Sequence, residues 1–465
     1  MRVAIRVLTL AAIVGTWTVP VGAPARAGAV PVKPGGWGRA GATVTDVREP
    51  RNAGASLRTS GVNVDGLGQE GPASAPVPDA SAAAGPRYLV EAVNSRLAAF
   101  TRTGTVRCTI TLAALFGTGD DEPTGPRVQY DTVYDRYALV AGGTEVYLAT
   151  TRGGDPCATW WVYRVRFSGA PFPPGTRLDH PYLAQDPQAL LLSSNNFRGP
   201  AYVGSVAFAA PKAAFYAGVS VDLPAFPVAF STAPVSATAD GDSYFLAAVP
   251  GLGYQLYELL NSAGPGTVLL DQGTVAAPFL PPPRWARQCT GAGLGPLDGR
   301  IAGPPVRVGD YVWFTHGVAV DGRAGVRYGA VDLFTHAAYT ATVARSATSD
   351  DFNPSIGARD AGYGLNYIWL NWAATDPGAH PCADVAVMVD GVAAGEGVPD
   401  RHGTGAVLAQ GGATGADAPF GGYSSVAVDP VTRPGCPVGT AAVVAQQYFD
   451  GAGRWRTRIA RVEWC

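Results

Sequence analysis

One short element recurs along most of this chain, and it restricts the fold more than any other feature. A short strand leads into a turn carrying Asp or Gly, and a second strand rich in Tyr, Leu and Val follows. The element reads Pro126-Arg-Val-Gln-Tyr-Asp131 with Arg136-Tyr-Ala-Leu-Val140, then Pro181-Tyr-Leu-Ala-Gln-Asp186 with Ala189-Leu-Leu-Leu192. Further copies begin at Pro305, Pro354 and Tyr423, and weaker ones near Pro86 and Pro234, so the intervals run from 40 to 71 residues. Four-stranded propeller blades take about 40–50 residues and lengthen by loop insertion. The fold class expected is therefore all-β, a single β-propeller over residues 86–465 with seven blades, six being the alternative count. A sandwich is the competing arrangement, but a propeller leaves fewer strand edges exposed.

What precedes the repeats has a different texture. Arg2 and Arg6 lead an uncharged run from Val7 to Ala25 that ends in Ala25-Arg26-Ala27. This is the pattern of a secretory signal peptide over residues 1–27, with Ala29 as the alternative cleavage point. Residues 28–85 hold 32 Gly, Pro, Ala or Ser among 58 and one aromatic, Trp37. Too little apolar surface is available there to offset the entropy of ordering, so a flexible linker is expected. No other segment is long and apolar enough to span a bilayer. The expectation is a secreted, extracellular, monomeric protein without stable membrane insertion after signal cleavage. A net charge of −2 offers no general attraction to nucleic acid.

Six cysteines, Cys108, Cys157, Cys289, Cys382, Cys436 and Cys465, contain no C-x-x-C pair. An even count in an exported chain favours three disulfides. Cys436–Cys465 is the preferred pair, because it would tie the last residue into the last repeat, and sequential pairing adds Cys108–Cys157 and Cys289–Cys382.

Residues 86–465 resemble a group of uncharacterised secreted bacterial β-propeller proteins, distantly sialidase-like in architecture. The marks are Gly85-Pro-Arg-Tyr-Leu-Val-Glu-Ala-Val-Asn94, Asp179-His-Pro-Tyr-Leu183, Ser194-Asn-Asn-Phe197, Phe352-Asn-Pro-Ser-Ile356 and Gly422-Tyr-Ser-Ser-Val-Ala-Val-Asp429. The resemblance implies an architecture and no chemistry. Where the group often has Gly-Asp before the Tyr-Ser-Ser string, this chain has Gly421-Gly422. The S-x-D-x-G-x-T-W boxes of working sialidases are absent, and Phe197-Arg198-Gly199-Pro200 is only a mid-chain echo of their F/Y-R-I-P string.

A propeller gathers the ends of its inner strands at one face, so candidate residues are sought where repeats begin. Asp179 and His180 form the candidate catalytic pair, the carboxylate holding the imidazole as a general base. The plainer alternative is a turn-capping Asp beside an ordinary loop His. Tyr182, Asn196, Asn353 and Tyr423 are the candidate ligand-binding residues. Asp350 and Asp351 are the candidate metal ligands, suited to a structural Ca2+, against the alternative of a solvated turn pair. Arg454, Arg456 and Arg458 alternate along a strand and read as a solvated outer face. The expected role is an extracellular binding or interaction module for a glycan or cell-surface ligand in the central funnel. The alternative is a carbohydrate-active enzyme, a glycoside hydrolase or polysaccharide lyase.

Overall fold

The computed structural model describes residues 5–9, 57–70, 77–119, 121–166, 175–220, 223–239, 241–362, 365–379, 386–395, 406–412, 414, 416–434, 436 and 439–464. Among the described residues helix is confined to two five-residue turns, Leu112–Phe116 and Lys212–Tyr216. The rest of the regular structure is strand, as β-branched and aromatic runs cut by Gly and Pro require.

Among the described residues seven sheets of four or five strands succeed one another, beside one small three-stranded sheet. Sheet one is Ser81–Ala84, Tyr88–Val93, Arg96–Thr101 and Val106–Thr111. Sheet two begins with Thr124–Asp131, sheet three with Arg177–Gln185 and sheet four with Ala233–Pro234. Sheets five, six and seven begin with Val306–Val308, Asp350–Gly362 and Ser425–Val428. These first strands meet around a closed ring. Ser81–Ala84 touches both Thr124–Asp131 and Ser425–Val428, and the contacts continue through sheets three and six. Between sheets four and five the link is Ser236–Ala237, which pairs in parallel with Val306–Arg307. The fold is a β-propeller.

Burial follows from this arrangement. Among the described residues the buried apolar side chains form six clusters that bridge adjoining sheets, one of them running through sheets six, seven and one, another where Ala138, Leu148 and Tyr163 of sheet two meet Leu183, Leu192 and Phe208 of sheet three. Facing sheets interdigitate their side chains, so the core is a set of radial layers and not one central mass. The turn Asp of the repeat also has a physical role. Asp131 accepts from the amides of Val133 and Tyr134, and Asp186 from those of Gln188 and Ala189. Its second oxygen ties outward, Asp131 to Lys212 Nζ at 2.7 Å and Asp186 to Ser243.

Two sequence expectations change here. The expected linker 28–85 contains structure: Leu57–Gly68 is a 12-residue strand antiparallel to Trp455–Trp464, and Ser81–Ala84 is the innermost strand of sheet one. Val62 and Leu67 are buried against the last sheet, so a low average hydropathy concealed an edge strand with a few well-placed apolar residues. Sheet seven thereby combines a strand that precedes sheet one with the last strands of the described chain. The repeat start near Pro86 also falls one strand late, because Ser81-Ala-Ala-Ala84 lacks the β-branched and aromatic residues by which strands are read. Of the expected signal peptide only residues 5–9 are described, as a backbone strand parallel to Trp160–Arg166.

Cys108 and Cys157 are disulfide-bonded, joining the outer strand of sheet one to sheet two. Cys289 and Cys436 are also disulfide-bonded. Cys382 and Cys465 lie outside the described residues, and with them the expected pairs Cys289–Cys382 and Cys436–Cys465.

Candidate functional site

The entry ends of the inner strands share a backbone distortion. Gly125, His180 and Asn353 have φ of 60°, 51° and 50°, each is followed by Pro, and each lies within a register shift of its strand. Asp79 and Ser231, just ahead of the inner strands of sheets one and four, have φ of 47° and 53°. Non-glycine residues rarely adopt this left-handed region, and four of these five are not glycine. Bulges of this kind re-aim side chains, and strain persists only where the surroundings enforce it. Here the enforcing contacts run between sheets.

Asp79 is half-buried and accepts from Asn94 Nδ2 and from the Gly422 amide, both at 2.7 Å. Asn94 in turn accepts from the Gly125 amide at 2.7 Å, so sheets one, two and seven are pinned together. Asn353 Nδ2 donates to the Tyr423 carbonyl at 3.1 Å, and Ser424 Oγ donates back to the Asn353 carbonyl at 2.9 Å. Tyr182 donates to the Ile301 carbonyl at 2.8 Å, and Tyr423 to the Pro181 carbonyl at 3.3 Å.

Arg127 is the centre of this cluster. Its guanidinium carbon lies 3.3 Å from the centroid of the Tyr423 ring and 5.5 Å from that of Tyr182. Nη2 donates to the Ala302 carbonyl, while Nε and Nη1 are buried without a partner. Burial lowers its affinity for the proton, and the neighbouring tyrosines and Asp79 oppose that. His180 packs edge-on to Tyr423 and Tyr182, with centroids 4.4 and 4.9 Å away. Its Nε2 is also buried without a partner. Burial, then the charges of Arg300 and Arg127, hold the imidazole well below its ordinary pKa, so it is uncharged at neutral pH. Desolvation raises the Asp79 carboxyl, against the pull of its two hydrogen bonds and Arg127. A buried polar group with no partner costs about 1–3 kcal/mol, so three such atoms in one cluster call for an explanation.

The structure therefore brings together His180, Tyr182, Asn353 and Tyr423 and leaves the other candidates elsewhere. Asp179 is exposed, and the charges acting on His180 are those of Arg300 and Arg127; the expected Asp179–His180 pairing is not formed. Strand alternation separates the two side chains, and Asp79, which the sequence places in a supposed linker, stands in the cluster instead. Asn196 is buried within sheet three, its amide donating to the Gly204 carbonyl at 3.0 Å. Asp350 accepts from Arg287 N and Nε and from Ala324 N; Asp351 accepts from Arg345 N, Ser349 Oγ and Trp372 Nε1. Protein donors surround both carboxylates, so they serve as structural anchors. Among the described residues no group of three or more His, Cys, Asp or Glu is placed to hold a metal ion. The arginine stripe is not a solvated outer face: Leu57–Gly68 pairs on the outside of its strand, Arg456 and Arg458 are half-buried, and Arg454 and Arg456 pair with Asp450 and Arg458 with Asp65.

Arg127, Asp79 and Arg300 were missed from sequence. A signal existed for the first: Gly125-Pro126 aligns with His180-Pro181 and Asn353-Pro354, which marks the entry end of an inner strand and the residues beside it.

No family model matches the chain, and no curated protein matches it. Among solved structures it is similar to an exo-β-1,3-galactanase from Phanerochaete chrysosporium, at 10% identity over 88% of this chain and 99% of that one, with a TM-score of 0.34. The hemagglutinin-neuraminidase of parainfluenza virus 5 is similar at 8% identity over 72% and 94%, with a TM-score of 0.38. A subtype N10 neuraminidase-like protein of A/little yellow-shouldered bat/Guatemala/060/2010 follows at 6% identity over 69% and 95%, with a TM-score of 0.37.

Proposed function

We propose that this chain is a secreted, seven-bladed propeller that binds an extracellular glycan at the entry ends of its inner strands, through an acidic group on the sugar. The observation that carries the reading is the buried Arg127 guanidinium with Nε and Nη1 unpaired. Nε and Nη1 lie on different edges of the guanidinium, so each offers a charged donor to one anionic oxygen, and the uncharged His180 adds a hydrogen-bonding nitrogen beside them. Half-buried Asp79 supplies an acceptor for sugar hydroxyls. Export is consistent with the Cys108–Cys157 disulfide. No helix of the described residues is long and apolar enough to cross a membrane.

The test is calorimetric titration with a panel of uronic and sialic acid oligosaccharides beside their carboxyl-reduced counterparts. Binding that weakens at least tenfold on carboxyl reduction, and on Arg127→Gln in a folded variant, is the expected result. Equal affinity for acidic and reduced sugars overturns the reading. An enzymatic reading has one specific support: Asp79 and His180 both flank Gly422, where a Cβ would lie 3.7 Å from Asp79 Oδ1 and 3.4 Å from His180 Cε1. A carboxyl and an imidazole on either side of one glycine are the kind of pair that general acid–base chemistry uses. Mass spectrometry of the same panel after incubation decides it, since fragments lost in His180→Ala would make the chain an enzyme.

A further inference from the structure

Beside the Arg127 cluster, three aromatic rings form a continuous shelf, two from paired strand ends of one hairpin of sheet three and one from the connection after it. Phe197 meets Tyr202 edge-on at 5.7 Å, and Tyr202 meets Phe230 edge-on at 5.1 Å. Tyr202 and Phe230 are 44% and 46% exposed, unusual for rings already packed against one another. A hydrogen-bond chain holds them in place. The Tyr202 hydroxyl lies 2.9 Å from Ser205 Oγ, which donates to Asn195 Oδ1 at 2.7 Å. Asn195 also accepts from the Ser231 amide and donates to Ser231 Oγ, both at 2.8 Å. Ser231 is the left-handed residue of sheet four's entry, adjoining Phe230, and its hydroxyl reaches Tyr182.

The shelf and the cluster thus share supports. They also share Arg300, whose guanidinium lies 5.8 Å from the Phe230 centroid while its charge acts on His180 and Tyr182. Arg300 is anchored by an ion pair with Asp298, so it is positioned as well as charged.

From this we infer that Tyr202 and Phe230 form a second sugar-binding subsite, on which the pyranose ring next to the one held at Arg127 stacks. The inference rests on the proposed glycan reading and extends it from a single sugar to an oligosaccharide. A pyranose presents an apolar C–H face and a polar edge. The exposed rings offer the apolar partner, and Arg300 offers donors at their border. Rigid aromatic surface costs little entropy on binding, and the Ser205–Asn195–Ser231 chain removes most of what remains.

The experiment titrates galacturonan and alginate oligomers of one to six sugars, and the carboxyl-reduced galacturonan series, into wild type, Tyr202→Ala, Phe230→Ala and Phe230→Trp. Both positions are exposed, and melting temperatures confirm that each variant is folded. Wild type is expected to gain at least about tenfold in affinity from monomer to trimer, roughly 1.4 kcal/mol. The alanine variants should flatten that gain and leave the monomer unchanged, while Phe230→Trp retains it. A gain undiminished in both alanine variants, or no oligomer binding, overturns the inference. The reduced series separates it from the reading beneath it. A Phe230-dependent gain that carboxyl reduction does not alter supports the shelf and overturns the acidic-group reading. Arg127-dependent monomer binding without any effect of Phe230 overturns the shelf alone.

Discussion

Two places in this protein bury polar groups beside inner strands, and they do so in opposite ways. At the start of sheet six, Asp350 and Asp351 are enclosed and every approach is filled by a donor from the protein itself. At the entry ends of sheets one to three, Arg127 and His180 are equally enclosed, yet three of their nitrogens have no partner. Burial is common to both. What separates a structural anchor from a binding site is whether the fold has already supplied the partners.

The contrast makes the largest predicted effect a structural one. Asp351→Ala would strand the Arg345 amide, the Ser349 hydroxyl and the Trp372 indole N–H, costing roughly 3–5 kcal/mol by chemical denaturation. A loss under about 1 kcal/mol would erase the distinction between the two places.

Glu91 tests a third kind of burial. It lies beneath the Leu57–Gly68 strand, accepting from the Leu67 amide at 2.7 Å, with Thr457 and Arg96 nearby. Desolvation pushes its carboxyl up to about 7 from 4.5. The folded protein therefore holds a proton that the unfolded chain releases. Its contribution is complete below pH 4.5 and is lost as pH rises through about 7, a change on the order of 3 kcal/mol. Glu91→Gln should flatten the fall in melting temperature between pH 4.5 and 7. An unchanged slope would show that Glu91 is not its source.

Smaller effects are expected at the entry ends. Asn353→Ala removes the bond to Tyr423 and places alanine at φ 50°, a loss of roughly 1–2 kcal/mol in denaturant that Asn353→Gly should partly recover. His180→Asn, which keeps a residue tolerant of φ 51°, should destabilise far less than Asp351→Ala, since the His180 Nε2 bonds to nothing in the protein, while weakening glycan binding. A large destabilisation would move His180 into the class of Asp351.

The repeat was legible because its marks are physical. The strand-ending Asp caps a turn through its side chain, and the Pro that opens several copies sits directly after a left-handed residue. Such features survive in a single sequence. Ser81–Ala84 and Leu57–Gly68 were hidden because their strand character comes from neighbours and not from their own residues. His180, Tyr182, Asn353 and Tyr423 could be proposed because each adjoins a repeat start. Arg127 could not be ranked among 32 arginines without knowing which guanidinium lacks partners. Asp350 and Asp351 were ambiguous for the converse reason, since adjacent carboxylates look alike whether they await an ion or already hold backbone amides.

The most direct test of the account is heteronuclear NMR of the imidazole resonances, with His180 assigned by comparison with His180→Ala. The account predicts a His180 signal that shows no titration near pH 6.5 and shifts on addition of an acidic oligosaccharide but not its carboxyl-reduced form. A signal that titrates near pH 6.5 and ignores every glycan would contradict it.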